Sequence, residues 1–117
     1  MGDGEYRILV GRADRVKAGL VVQLVALAND LTPEAVLDVR RREPEVRLAR
    51  RTAFYLAHVT YGWSLERVGH AMGRNRVTVG AACKRVEDER DDPEADARIE
   101  RLGEALETAL RAAGART

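Results

Sequence analysis

Two short amphipathic segments lie back to back between residues 64 and 90, separated by a tight turn around one glycine. Ser64 is a good N-cap for the first segment, Leu65–Met72, and Gly73 is well placed as the C-cap glycine that ends it. Asn75 can cap the second segment, which runs over residues 76–90. Two short helices joined by a glycine-containing turn, the second beginning with polar and basic residues, are typical of a helix-turn-helix.

The remaining chain also predicts helices. The sequences TPE at 32–34 and DPE at 92–94 each combine a capping side chain, a proline at the first helical position and an acid near the positive helix end. Apolar residues at three- and four-residue spacing predict helices over 13–28 and 46–60 as well. We expect the first helix to face the core with Val16, Leu20, Leu24 and Leu27. The sequence therefore predicts an all-α fold, a compact helical domain of about six helices with a central helix-turn-helix.

The charge along the chain is unevenly distributed, although the net charge is only +1. Residues 40–85 contain eleven Lys and Arg against three acidic residues, whereas residues 86–107 contain three against ten. A basic centre beside an acidic segment favours contact with a polyanion on one side. A solvated surface of ion pairs would explain the same pattern equally well.

Three segments of the chain are expected to differ in role. We predict a flexible N-terminal tail over residues 1–11, a DNA-binding domain over 12–92 and a C-terminal helix over 93–117. The last carries a narrow aliphatic stripe that either packs on the domain, which we favour, or forms an interface with a partner. The apolar run at 18–28 is interrupted and too short to span a bilayer, and the single Cys83 cannot form an internal disulfide. We therefore expect a cytoplasmic, nucleoid-associated protein.

Four stretches of the sequence resemble one known family. They are RRTAFYLA at 50–57, SLERVG at 64–69, GRNRVTV at 73–79 and ACKRV at 82–86. Over about residues 13–90 the chain resembles the C-terminal DNA-binding domain, domain IV, of the bacterial replication initiator DnaA, with one glycine fewer in the turn. The resemblance implies a DnaA domain IV-like (Trp repressor-like) helical fold, with double-stranded DNA as the partner.

The resemblance also implies which residues contact DNA. It implies that Arg50 enters the minor groove and that the first residues of the fifth helix read bases. There Asn75, Arg76 and Val77 replace the family's Asp-His-Thr triplet, so we expect the docking to be inherited and the base preference to differ. Arg favours guanine, Asn favours adenine, and Val can pack on a thymine methyl. The residues predicted to contact phosphates are Arg41, Arg42, Arg47, Arg51, Ser64, Leu65, Arg74, Thr78 and Lys84.

Catalytic signatures are missing from the sequence. It contains no GxxxxGK[ST] phosphate loop, no nucleophile–base pair, and no ligand spacing around His58 or His70 that predicts a metal site. We expect no catalytic residues, metal, cofactor, small-molecule substrate or membrane contact. Because 117 residues cannot hold an AAA+ ATPase, the chain is not expected to act as an initiator by itself.

The favoured hypothesis is a sequence-specific transcriptional regulator, and activators of phage-like or gene-transfer-agent genes are one such class. Other transcription factors or RNA polymerase components would then be further partners. One alternative is a modulator of replication initiation that competes with the initiator at the origin. Another is a protein-interaction module that has lost DNA binding.

Overall fold

A computed structural model describes residues 2–114, with side chains from residue 11 onward. Its described part consists of six α-helices and contains no strand. They are α1 (Gly2–Ala28), α2 (Pro33–Leu37), α3 (Pro44–Thr60), α4 (Leu65–Met72), α5 (Arg76–Glu89) and α6 (Pro93–Ala112). The predicted all-α fold with a central helix-turn-helix is confirmed. Among the described residues, every helix is too short or too polar to span a lipid bilayer.

Side-chain caps begin four of these helices where the sequence predicted them. Thr32, Ser64, Asn75 and Asp92 each accept a hydrogen bond from the backbone N–H three residues further on, at 2.8–3.2 Å. Each bond satisfies one of the N–H groups that a helix leaves without a partner at its first turn. The bounds of α4 match the prediction because its C-cap, Gly73, adopts the left-handed conformation with φ of 74°.

Helix α1 differs from the prediction in its face. Val16 and Leu27, expected in the core, are 74% and 80% exposed, and the buried apolar residues are Ala18, Val21, Val22, Val25 and Ala26. The prediction is wrong for Val16 and Leu27, whereas Leu20 and Leu24 are half-buried and pack against the core. Apolar residues lie on several sides of α1 here, so spacing alone does not select a face. The buried face has small side chains, and it packs on α3, where Ala49, Ala53 and Ala57 allow a close approach.

The start of α1 was predicted near Ala13, whereas the helix begins at Gly2. The predicted tail over residues 1–11 falls, except for Gly11, on residues whose side chains lie outside the described part. Gly2, Gly4 and Gly11 made a helix unfavourable in the prediction, since each glycine disfavours helix by roughly 1 kcal/mol relative to alanine.

Helix α3 is the centre of the domain and contacts each of the other five helices. Phe54 and Leu56 on this helix are almost completely buried, and Cys83 of α5 lies in the same core, as expected. Helix α6 packs along α1 and α3 with its aliphatic stripe buried. The buried residues of that stripe are Ile99, Leu102, Leu106 and Leu110. This packing leaves α4 and α5 as the outer helices on the other side of α3.

Candidate nucleic-acid interface

The turn between α4 and α5 closes on Gly69. The backbone N–H of Arg74 donates to the Gly69 carbonyl at 2.8 Å, and a Cβ at Gly69 would lie only 2.2 Å from the carbonyl oxygen of Arg74. Only glycine allows the two backbones to approach so closely. No role was assigned to Gly69 from the sequence, although a glycine within an amphipathic helix, shortly before the next N-cap, was the available signal.

The first residues of α5 are presented to solvent. Asn75, Arg76, Val77 and Thr78 are all exposed, and Val77 is 74% exposed. The Asn75 side chain uses its oxygen as the N-cap, which leaves the amide NH₂ group available to donate. Arg76 has no hydrogen-bond or ion-pair partner within the described residues. This end of α5 thus has the exposure and the donors that base-edge contacts in a major groove require.

The loop between α2 and α3, residues 38–43, lies beside this end of α5. Arg50 of α3 donates to the carbonyls of Val36, Asp38 and Arg41 at 2.7, 2.5 and 3.1 Å. Arg74, which directly precedes the α5 N-cap, donates to the Leu37 carbonyl at 2.6 Å. The loop and the α5 start are therefore joined by side chains on one face of the domain.

Arg50 itself faces inward. Burial, followed by the neighbouring positive charge of Arg74, lowers the pKa of Arg50 from its ordinary value. The Arg50 guanidinium donates to three carbonyls. In this structure Arg50, which was predicted to read bases, therefore supports the loop instead. A minor-groove contact by Arg50 would require these three bonds to be exchanged, and that contact stays a prediction.

Arg51 is also turned away from the α5 start. Its Nη2 lies 2.5 Å from Oε2 of Glu89 and its Nε 3.0 Å from Oε1, and the Arg51 side chain is only 16% exposed. The pair connects α3 with the end of α5. The phosphate contact of Arg51 would require this pair to be broken, and it stays a prediction.

The Arg51–Glu89 pair gives a pH-dependent prediction. The Arg51 hydrogen bond lowers the pKa of Glu89, so the pair stabilises the fold above the unfolded-state pKa of about 4.3 and loses its effect as pH falls through the lower folded-state pKa. We expect Glu89→Gln to cost about 1–2 kcal/mol at pH 7. We expect the difference from wild type to shrink on acidification.

Urea unfolding at pH 7 and at pH 3 measures this difference. Glu104→Gln is the matched control, because Glu104 is exposed and has no partner in the described part of the chain. A gap between wild type and Glu89→Gln that stays constant with pH would contradict the assignment.

The other residues assigned to phosphates vary in availability. Arg42, Arg47 and Lys84 are exposed and have no ion-pair partner among the described residues, whereas Arg41 is 2.7 Å from Glu43. Ser64 caps α4 and is exposed, and Leu65 behind it is half-buried. The N–H groups at the start of α4 thus remain open to an anion, as helix N-termini in DNA-binding proteins commonly are.

Two ion-pair groups that sequence patterns did not reveal fix the helices around this surface. Arg67 of α4 forms a bidentate pair with the buried Asp14 of α1, at 2.8 and 2.9 Å. Arg90, after α5, pairs with Asp96 and Glu100 of α6, and the hydrogen bond that Arg90 donates to Asp96 is the main cause that raises the Arg90 pKa. The Arg90 pairs thus fix the start of the acidic α6 to the end of α5, while α6 packs on α1 and α3 and leaves residues 75–78 exposed.

Residues 19–86 match the family model described as the bacterial dnaA protein helix-turn-helix. The matched segment covers more than half of the 117 residues. The chain belongs to the DnaA helix-turn-helix family. The resemblance predicted from the sequence is confirmed. No curated protein matches the chain.

The DnaA match includes α2, α3, α4 and nearly all of α5. Every residue predicted to contact bases or phosphates lies inside the matched segment. The chain therefore carries a DNA-binding domain of a non-enzymatic family, and the match supports double-stranded DNA as its partner.

Proposed function

We propose that this DnaA-type domain binds duplex DNA sequence-specifically and acts as a transcriptional regulator. The observation that carries the proposal is the placement of the exposed residues 75–78 beside the basic loop, on a face that α6 leaves open. The start of α5 would enter the major groove, and the loop would follow the neighbouring phosphates.

The chemistry of the α5 start supports a target different from the family's own box. The Asn75 oxygen already accepts from the Thr78 N–H as the helix N-cap, whereas its amide NH₂ group has no partner within the described residues and is free to donate to a base edge. Arg76 adds a guanidinium suited to guanine, and the exposed Val77 can pack on a thymine methyl. A regulator with its own binding sites fits these residues better than a competitor for the initiator's sites does.

The test is selection of bound sites from a random duplex pool, followed by fluorescence anisotropy on the selected site. We expect a defined consensus, with affinity that falls steeply with salt, by about 0.9 in log–log slope for each neutralised phosphate. Genome-wide occupancy measurements should then place these sites at promoters, including promoters of phage-like or gene-transfer-agent genes. Deletion of the gene for this protein should change the transcript levels from those promoters. Protection of initiator boxes at the origin would instead favour a replication modulator, and absence of any duplex binding would favour a protein-interaction module.

Arg76→Ala tests the base contact. We expect a loss of roughly 1–3 kcal/mol at the selected site and a relaxed preference at one base pair, because a bidentate contact to guanine is removed. Binding to unrelated duplex should change much less. Arg101→Ala on α6, which removes an exposed arginine from the other side of the domain, should leave both affinities unchanged. Equal losses on all sequences would show that Arg76 holds a phosphate instead.

A further inference from the structure

Two arginines outside the basic loop hold that loop in place. We infer that Arg50 and Arg74 are positioning residues, which fix residues 38–43 beside α5 so that Arg42 contacts DNA. The inference rests on the proposed function and assigns separate roles within it. Arg42 contacts the nucleic acid, whereas Arg50 and Arg74 affect binding only by holding the loop in position.

The carbonyls that these arginines bind are those that helix ends leave without partners. Val36, Leu37 and Asp38 provide three successive carbonyls at the C-terminal end of α2, and each accepts from Arg50 or Arg74. Cations are favoured at this end of a helix, and a guanidinium can serve several acceptors in one plane. Helix α2 has only five residues, so these bonds are a large part of what keeps its end and the following loop ordered.

Arg74 connects two helix ends at once. Besides Leu37 at the end of α2, its guanidinium donates to the carbonyl of Gly73, directly after α4, at 3.0 Å. Arg74 thus links the end of α2, where the loop begins, to the turn of the helix-turn-helix. Burial first, and the positive charge of Arg74 second, lower the pKa of Arg50. Two guanidiniums this close in a partly buried site repel each other, and the carbonyls that they bind compensate for that repulsion.

Among the three loop arginines, Arg42 is the one available to a ligand. Arg40 pairs with Asp38 at 3.1 Å, and Arg41 pairs with Glu43 at 2.7 Å. Arg42 is exposed and has no partner within the residues that the structure describes. Its guanidinium can therefore bind a phosphate or enter a groove without breaking an existing ion pair.

A double-mutant cycle tests the inference on a duplex that carries the selected site. We expect Arg42→Gln and Arg74→Gln each to weaken binding about tenfold and to reduce the salt slope by about one. If Arg74 acts through the loop, the double variant should bind little worse than either single variant. Arg101→Gln is the matched control, with unchanged affinity. Trypsin should also cleave after residues 40–42 faster in Arg74→Gln than in wild type, with the rest of the domain still protected.

Arg74→Lys separates the two possible roles of Arg74 even if Arg74→Gln fails to fold. Lysine keeps the charge but cannot join both helix ends, so a positioning role predicts a loss close to that expected for Arg74→Gln, whereas a direct phosphate contact predicts near wild-type binding. Losses that multiply to about hundredfold in the double variant, or unchanged cleavage of the loop, would overturn the inference. Failure of the wild-type chain to bind any duplex would overturn the proposed function itself.

Discussion

Gly69→Ala should destabilise the domain by about 3 kcal/mol or more and abolish specific DNA binding. The added Cβ would lie 2.2 Å from the carbonyl oxygen of Arg74 and 3.3 Å from the carbonyl carbon of Asn75. Both obstacles are backbone atoms, so no side-chain rotation relieves the contact and the turn itself must open. Opening it would displace Arg74 and the N-cap of α5 together. Urea unfolding followed by circular dichroism gives the change in stability, and anisotropy on the selected duplex gives the loss of binding.

Gly103→Ala is the control for this experiment, because it makes the same change in another helix. A Cβ at Gly103 would meet only side-chain atoms of Leu56 and Thr60, both at 3.9 Å, which is ordinary van der Waals contact. We expect this variant to be more stable than wild type by roughly 0.5–1 kcal/mol, through reduced freedom of the unfolded chain. Similar destabilisation by both substitutions would show that the α4–α5 turn imposes no special constraint.

The contrast between these glycines shows what the sequence could and could not predict. Helix ends with a capping residue were predicted well because their signals are local: a cap acts on an N–H three residues away, and Gly73 ends α4 through its own backbone conformation. The start of α1, which has no such signal, was not. The helix-turn-helix followed from such signals, and the family match confirms it. The need for glycine at 69 depends on where residue 74 lies in space, which local patterns do not give.

Side-chain partners were predicted least well. Arginines at 50, 51 and 74 look alike in the sequence. Each is a cation near the start of a helix, where a bound anion such as a phosphate would account for the positive charge. In the structure their partners lie 9 to 38 residues away or at the C-terminus of the preceding helix, as with Glu89 for Arg51 and Leu37 for Arg74. Val16 and Leu27 of α1 were also mispredicted as core residues, since apolar residues lie on several sides of this helix and the buried ones depend on how it packs against α3. Both the partners of these arginines and the buried side of α1 are set by tertiary packing, which local sequence patterns do not give.

Trp63→Ala should lower the stability of the domain by about 3–5 kcal/mol, the usual cost of removing a buried aromatic side chain. Trp63 is 2% exposed and lies between α3 and α4, with its ring centroid 4.9 Å from that of Tyr61. The Arg67 guanidinium, which binds Asp14 of α1, lies 4.7 Å from the same ring centroid. Loss of the ring would therefore weaken the attachment of α4 to both α1 and α3. Thermal unfolding by circular dichroism should show a Tm lowered by more than about 12 °C.

Binding measurements then distinguish support of the fold from contact with DNA at Trp63. At a temperature where Trp63→Ala is still folded, its affinity for the selected duplex should stay within about threefold of wild type, because the buried ring cannot reach a base. Val59→Ala, at a position that is 47% exposed near the end of α3, should change neither Tm nor affinity appreciably. A Trp63 variant that keeps the wild-type Tm but loses DNA binding would mean that the ring stacks on nucleic acid.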